Sequence, residues 1–250
     1  MNIKYVIPSY KRYDGLLTLE YLSKAKVYVS EEDYPLYTEN YSKNNFVKMP
    51  NEYQGKGKAI ANNWILNKEW DEDTDAIVML DDDIKGAKLW RFENNKIDLS
   101  EEDFYEVCER SVSLAKEFGC GMFLFNRTGD RLQHNPSAPF RLHGVSNGAL
   151  IGLVQNDGLR FDEKLTTSED IDLQLQSMKK YHKVLLIERY YLDVMQWTNK
   201  GGYQSIRDGR KTDKRCRDLL QKKWGNKIVR TNEKQKKDVG HSIYVGLSGI

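Results

Sequence analysis

Three consecutive aspartates, Asp81-Asp82-Asp83, follow the apolar run Ala76–Leu80 and precede Ile84-Lys85-Gly86. Carboxylates this close repel one another, and a divalent cation is what ordinarily makes such a cluster tolerable. All-oxygen donors select hard ions, so the cluster points to Mg2+ or Mn2+ held by one or two carboxylates together with the phosphates of a substrate. A short run that is apolar throughout is the pattern of a parallel strand buried on both faces. Ligands of open α/β sheets sit beyond the carboxyl ends of such strands, which is where the aspartates fall. An acidic solvated turn would not account for the buried run that leads into it.

Other segments carry weaker chemical signals. Gln54-Gly55-Lys56-Gly57-Lys58 opens a helical pattern that continues through Asn62 and Asn63. Exposed N–H groups at a helix start, with lysines beside them, suit a phosphate, although Gly-Lys turns are also common on surfaces. In Thr166-Thr167-Ser168-Glu169-Asp170-Ile171-Asp172, Ser168 is a candidate N-cap with an incomplete capping box, because Ile171 stands at N3. The acids after it complement a helix dipole whether or not they do chemistry. Trp197–Arg207 contains Gly201-Gly202, hinge positions for a lid over a diphosphate or simply a loop joining strand to helix. His143 precedes a strand whose Gly148 allows close approach of an acceptor. His241 is a candidate for a metal shell, though a lone histidine is more often structural.

Several motifs are missing. Neither a Walker A loop, GxGxxG nor HExxH occurs, and Asp71–Asp75 imitates an EF-hand loop but has Ala76 where glycine is required. A haloacid-dehalogenase phosphatase would place its nucleophilic aspartate after the first strand, whereas these aspartates close the fourth.

Charge is unevenly spread. The chain of 250 residues has a net charge of +2, yet Arg207–Lys237 holds thirteen Lys and Arg against four Asp and Glu. That excess of nine leaves the remainder at −7. Such a segment, with Lys222, Lys223 and Lys227 as candidate contacts, suits a polyanion such as DNA or RNA, or else is a solvated basic helix. Hydrophobic residues at 39% and charged residues at 30% describe an ordinary globule rather than a disordered chain. No run of eighteen apolar residues and no signal-peptide core is present, and the three cysteines form no CxxC pair. A cytoplasmic protein without a membrane partner is expected.

The elements that must position these residues alternate. Ile3–Ile7 reads as a strand, Asp14 as the cap of a Leu-rich helix, Ala25–Val29 as a strand, and Glu31–Tyr41 as a helix interrupted at Pro35. Asn45–Met49, a helix over Gly57–Trp70 and Ala76–Leu80 complete a βαβαβαβ series, which predicts a parallel sheet with helices on both faces. Beyond it the pattern predicts a hairpin of Lys88–Glu93 and Lys96–Leu99, a helix over Glu101–Phe118, strands at Met122–Phe125, Gly148–Val154 and Lys183–Ile187, and a helix over Ser168–Tyr181. No linker or repeat is visible. One domain is expected, with a nucleotide-binding half (1–100), an acceptor half (101–206) and a basic segment (207–250).

Ile7–Arg12 (IPSYKR), Asp81–Asp83 and Ser168–Leu173 (SEDIDL) occur in the order found in nucleotide-sugar glycosyltransferases of the GT-A fold, and over about the first 180 residues the chain resembles that family. The short chain, PSYKR, LDDD, the NKGG-R segment and the basic tail look like the phage-encoded TET-associated glycosyltransferases, thought to decorate hydroxymethylated pyrimidines in DNA. The resemblance implies a GT-A-like (Rossmann-like) α/β fold with a mixed, mainly parallel sheet and helices on both faces, a UDP-sugar donor and a Mn2+ or Mg2+ cofactor. It implies that Pro8, Ser9 and Arg12 line the nucleoside pocket and that Gly55, Lys58 and Asn62 face the donor, together with Gly201, Gly202 and Arg207. Asp81 would contact ribose or sugar and share the metal with Asp83, and Asp82 would be spare, although the register of three adjacent aspartates stays open. Asp170 would be the base that takes the acceptor's proton, as in inverting members, with Glu169 holding sugar hydroxyls. A polysaccharide or protein acceptor remains an alternative, as does a nonenzymatic nucleic-acid-binding module. A sugar nucleotidylyltransferase lacks its GxGxR loop here.

Overall fold

A computed structural model describes residues 1–91, 95–126, 135, 137–146, 148–195, 202, 209–231 and 243–245. Strict alternation along the first eighty residues produces the first half. β1 (Ile3–Pro8), α1 (Leu17–Tyr21), β2 (Lys26–Ser30), α2 (Tyr34–Asn40), β3 (Phe46–Met49), α3 (Lys58–Glu69) and β4 (Ala76–Leu80) follow one another. Then come β5 (Ile84–Trp90), β6 (Lys96–Leu99), α4 (Glu101–Glu117), β7 (Met122–Asn126), β8 (Phe140–Arg141) and β9 (Leu150–Leu153). The chain continues through α5 (Glu169–Tyr181), β10 (Leu185–Val194), α6 (Gly209–Trp224), β11 (Val229–Thr231) and β12 (Ile243–Val245).

A ten-stranded sheet runs β3-β2-β1-β4-β9-β7-β10-β5-β6, with β8 on β10. Strands β3, β2, β1 and β4 pair in parallel, as do β7 and β10, while β9 lies antiparallel between β4 and β7. The sheet is thus mixed, and the βαβ crossovers account for its parallel half. Side-chain alternation sorts each central strand onto two cores. Ile7, Val78 and Leu80 pack with Leu16, Leu22, Tyr37 and Phe104, the side of α1, α2 and α4. Val6, Ile77 and Met79 pack with Ala59, Ile65, Leu173 and Leu220, the side of α3, α5 and α6. Helices on both faces are therefore present, as the α/β, GT-A-like reading expects.

Some boundaries differ. Helix α1 begins at Leu17 with Leu16 as its cap residue, and Asp14 is exposed in the preceding turn. Residues before it are drawn aside, because Tyr13 donates to Asp33 and the Arg12 N–H donates to Tyr37. Pro35 does not interrupt α2; it stands in its first turn, where its missing N–H costs nothing. Strand β5 starts at Ile84, directly after the aspartates, and β10 runs on to Val194 to pair with it.

Candidate active site

Strands β1 and β4 are adjacent and parallel, so Pro8-Ser9 and Asp81-Asp82-Asp83 emerge side by side at their carboxyl ends. The turn after β4 is held by Thr18 of α1, whose hydroxyl donates to the Asp81 carbonyl at 2.5 Å and accepts from the Ile84 N–H at 2.9 Å. The Asp81 N–H donates to the Ala149 carbonyl at 3.0 Å, and the Met195 N–H to the Asp83 carbonyl at 2.9 Å. Three other chain segments therefore fix the turn from which the carboxylates project.

The three aspartates have different surroundings. Asp82 is buried and accepts from the Ser9 hydroxyl at 2.7 Å and from the Arg12 guanidinium. Ser9 also lies 2.9 Å from the Tyr37 hydroxyl, which accepts the Arg12 N–H. Burial raises the Asp82 carboxyl above its ordinary range, and Arg12 and Ser9 oppose that rise. Asp83 Oδ2 lies 3.3 Å from Arg12 Nη1, whereas Asp83 Oδ1 is buried and finds no hydrogen-bond partner among the described residues. Burial, then the neighbouring Asp81 and Asp82, push its carboxyl up to about 6. Asp81, half-buried, is ion-paired with Lys58. Burial works against the Lys58 charge, but Asp81, then Glu169, raise its pKa overall.

Lys58 and Asn62 are four residues apart on α3 and share a face. That face forms one wall of a narrow cleft lined also by Pro8, Asp81, Gly148, Glu169 and Asp170. At about 10 Å3 the enclosed space holds one water, so anything larger enters only as the walls shift. Gly148 has φ +69°, and a Cβ there would fall 2.5 Å from the Asp170 Cβ, so its lack of a side chain lets the β9 approach lie against the acid. Ser168 adopts a left-handed conformation and makes no side-chain cap, leaving α5 to begin at Glu169 with its acids in the first turn. Burial raises the Asp170 carboxyl, with Lys58 opposing.

Pro8, Lys58, Asn62, Asp81, Gly148, Glu169 and Asp170 meet in the cleft, and Ser9, Arg12, Asp82 and Asp83 form the adjoining network. Gly55 has φ +73° and lies against the Tyr10 ring at the mouth of the first turn. Gly202 donates its N–H to the Tyr10 carbonyl at 2.7 Å, and a Cβ there would fall 2.8 Å from Arg12 Nη2. His143 is exposed beside the start of β10, where Val184 donates to the Leu142 carbonyl, at the end of the sheet opposite the aspartates. Lys222 and Lys227 are exposed, but Lys223 is bound 2.8 Å from Asp172 and 2.9 Å from Asp162. Gly201, Arg207 and His241 lie outside the described residues.

Thr18 and Tyr37 escaped the sequence reading, and Gln54 entered it only as the start of the Gly-Lys segment. Gln54 donates to the Ser9 carbonyl at 3.1 Å. A threonine on the buried side of the Leu-rich α1 was the available signal for Thr18; nothing local marked Tyr37.

Among the described residues no three His, Cys, Asp or Glu side chains are arranged as a metal cage. The unpartnered Asp83 Oδ1 and the half-buried Asp81 do fit a hard cation that takes only one or two carboxylates and completes its shell with substrate phosphates and water.

The chain matches the TET-Associated Glycosyltransferase family over residues 3–202. No functionally curated protein matches it. Among solved structures it is similar to S. aureus TarS 1-349 in complex with UDP-GlcNAc, with TM-score 0.49 and 12% identity over 90% of this chain and 74% of that one. The UDP complex of TarS 1-349 gives TM-score 0.47 and 13% identity over 90% and 73%. The 4-diphosphocytidyl-2C-methyl-D-erythritolsynthase of Anaerococcus prevotii gives 0.40 and 10% over 87% and 96%. The family match takes in the β1 turn, the aspartates, the start of α5 and Gly202, and the chain therefore belongs to the TET-associated glycosyltransferases.

Proposed function

We propose that the chain moves a sugar from a nucleotide-sugar, with a UDP-sugar as the first donor to test, onto the hydroxyl of a 5-hydroxymethylpyrimidine in DNA, inverting the anomeric carbon. The observation that carries this reading is the meeting of Lys58, Asp81 and Asp170 in one cleft at a strand end. Family membership gives the reaction class. The resemblance to enzymes of hydroxymethylated DNA, and the basic segment, favour a DNA acceptor over a polysaccharide or protein.

In this mechanism Asp170 takes the proton of the acceptor hydroxyl as its oxygen attacks the anomeric carbon. The bond from that carbon to the diphosphate oxygen breaks, and its electron pair leaves with the nucleoside diphosphate. Burial that raises the Asp170 carboxyl makes it a stronger base near neutral pH. Lys58, kept charged by Asp81, faces the developing negative charge. Glu169 holds sugar hydroxyls, and Pro8, Ser9 and Arg12 border the nucleoside. Asp83 and Asp81 would hold Mn2+ or Mg2+, which supplies Lewis-acid stabilisation of the departing diphosphate.

The test incubates the protein with UDP-sugars, Mn2+ and a duplex carrying hydroxymethylcytosine or hydroxymethyluracil, followed by mass spectrometry of the digested nucleosides. A hexose or pentose mass increment is expected. Asp170→Asn should retain donor binding by calorimetry and lose ~10²–10⁴-fold in transfer. Wild-type transfer by Asp170→Asn would remove it as the base, and donor hydrolysis without any DNA product would overturn the acceptor.

A further inference from the structure

The outer face of α6 carries a feature the cleft does not use. Lys211, Lys214, Arg215 and Lys222 are exposed, and their spacing puts them on one side of the helix, interrupted by the exposed Asp218. Cys216 and Leu220, fully buried, mark the opposite side. From Lys211 to Lys222 the stripe is about 16 Å long at 1.5 Å per residue. That matches roughly five phosphates of one DNA strand at 3.4 Å each. Exposed Lys227 and Arg230 continue the basic surface past the helix end.

The helix is fixed beside the site. Cys216 Sγ lies 3.4 Å from the Thr166 hydroxyl, Arg215 Nη2 donates to the Lys164 carbonyl at 3.3 Å, and Trp224 Nε1 donates to Asp172 at 2.7 Å. These contacts run along residues 162–172, the stretch that delivers Glu169 and Asp170 to the cleft. Lys223 turns inward to the same stretch and is neutralised there, so it does not belong to the outer stripe.

We propose that this stripe docks the sugar-phosphate backbone of the acceptor DNA, setting the position of the target base relative to Asp170. The inference rests on the DNA-acceptor reading above. It follows from charge complementarity: the chain outside 207–237 carries a net −7, so the basic segment is the main source of attraction for phosphates, and among the described residues α6 is where that segment presents cations on one face.

The experiment uses the full chain and the triple variant Lys211→Gln, Lys214→Gln, Lys222→Gln, whose exposed positions leave folding intact, as a melting curve verifies. Anisotropy of a labelled unmodified duplex is titrated at several salt concentrations. Transfer is compared between a hydroxymethylcytosine duplex and the free nucleoside 5-hydroxymethyl-2′-deoxycytidine, which has no backbone. The expected results are a salt slope reduced by up to about 3 and a ratio of duplex to nucleoside kcat/KM at least tenfold lower. An unchanged slope and ratio overturn the stripe. Equal loss of binding to polyglutamate and to DNA also overturns it, since the surface would then bind any polyanion. If wild type modifies neither duplex nor nucleoside, the acceptor reading fails, and the salt slope alone decides whether α6 binds DNA.

Discussion

Replacing Lys223 by methionine tests whether α6 is a surface appendage or a strut for the helix that carries Asp170. Lys223 Nζ lies 2.8 Å from Asp172 Oδ2 and 2.9 Å from Asp162 Oδ2, and Asp172 is 0% exposed. Methionine keeps most of the aliphatic stem, so the perturbation is chiefly one of charge. Asp172 would retain the Trp224 indole at 2.7 Å and the Gln176 amide at 2.6 Å. Removing one partner of a fully buried pair costs roughly 3–5 kcal/mol. Lys223 is 37% exposed, so water already screens part of the attraction. The expected loss is accordingly nearer about 2 kcal/mol. In a chain of this size that lowers Tm by about 4–8 °C. The assay is thermal unfolding at low and high salt, where the loss should persist because the carboxylate is shielded from mobile ions. Asp172→Asn in the same chain removes the orphaned charge and should restore part of the stability. A Tm within 1 °C of wild type at both salt concentrations would refute the reasoning and return Lys223 to the pool of solvent cations.

Gly148→Ala should lower transfer by at least about tenfold while donor affinity holds, because a left-handed alanine costs about 1–2 kcal/mol and its Cβ must displace Asp170. Full activity in that variant would mean that the acid has room to move. Asp83→Asn should raise the Tm of metal-free protein at pH 8. The Asp83 carboxyl titrates near about 6, above its unfolded value, so its ionised form lowers stability above that pH. The advantage of Asn should shrink as pH falls from about 6 toward 4, and a difference independent of pH would contradict the burial of an ionised group.

Much of the first half was legible because buried parallel strands announce themselves as unbroken apolar runs: Ala76–Leu80 is found with the predicted ends. The aspartates and the start of α5 were legible for the same reason, since strand ends and helix starts are local events. What escaped was long-range. Nothing in the sequence near Lys223 says that it reaches Asp172, fifty-one residues away, or that Ser9 shares Asp82 with Arg12. Strand β10 was read too short because its outer half pairs with β5, and half-buried alternation there leaves no apolar run. His143 was attractive only through its nearness in sequence to Gly148; the intervening residues carry the chain from one end of the sheet to the other.

The contact between Gly202 and Tyr10 spans 192 residues of chain. During synthesis the first strand, the aspartate turn and Asp170 are all made before the glycine that closes over Arg12 leaves the ribosome. At roughly 5–20 residues per second, the β1 turn waits on the order of ten seconds or more for that contact. Until then the Arg12–Asp82–Asp83 network, once its aspartates are made, has one flank open to water. Termination before residue 202 would leave that pocket unfinished, and it would also remove α6, whose Cys216 and Leu220 are buried in the core.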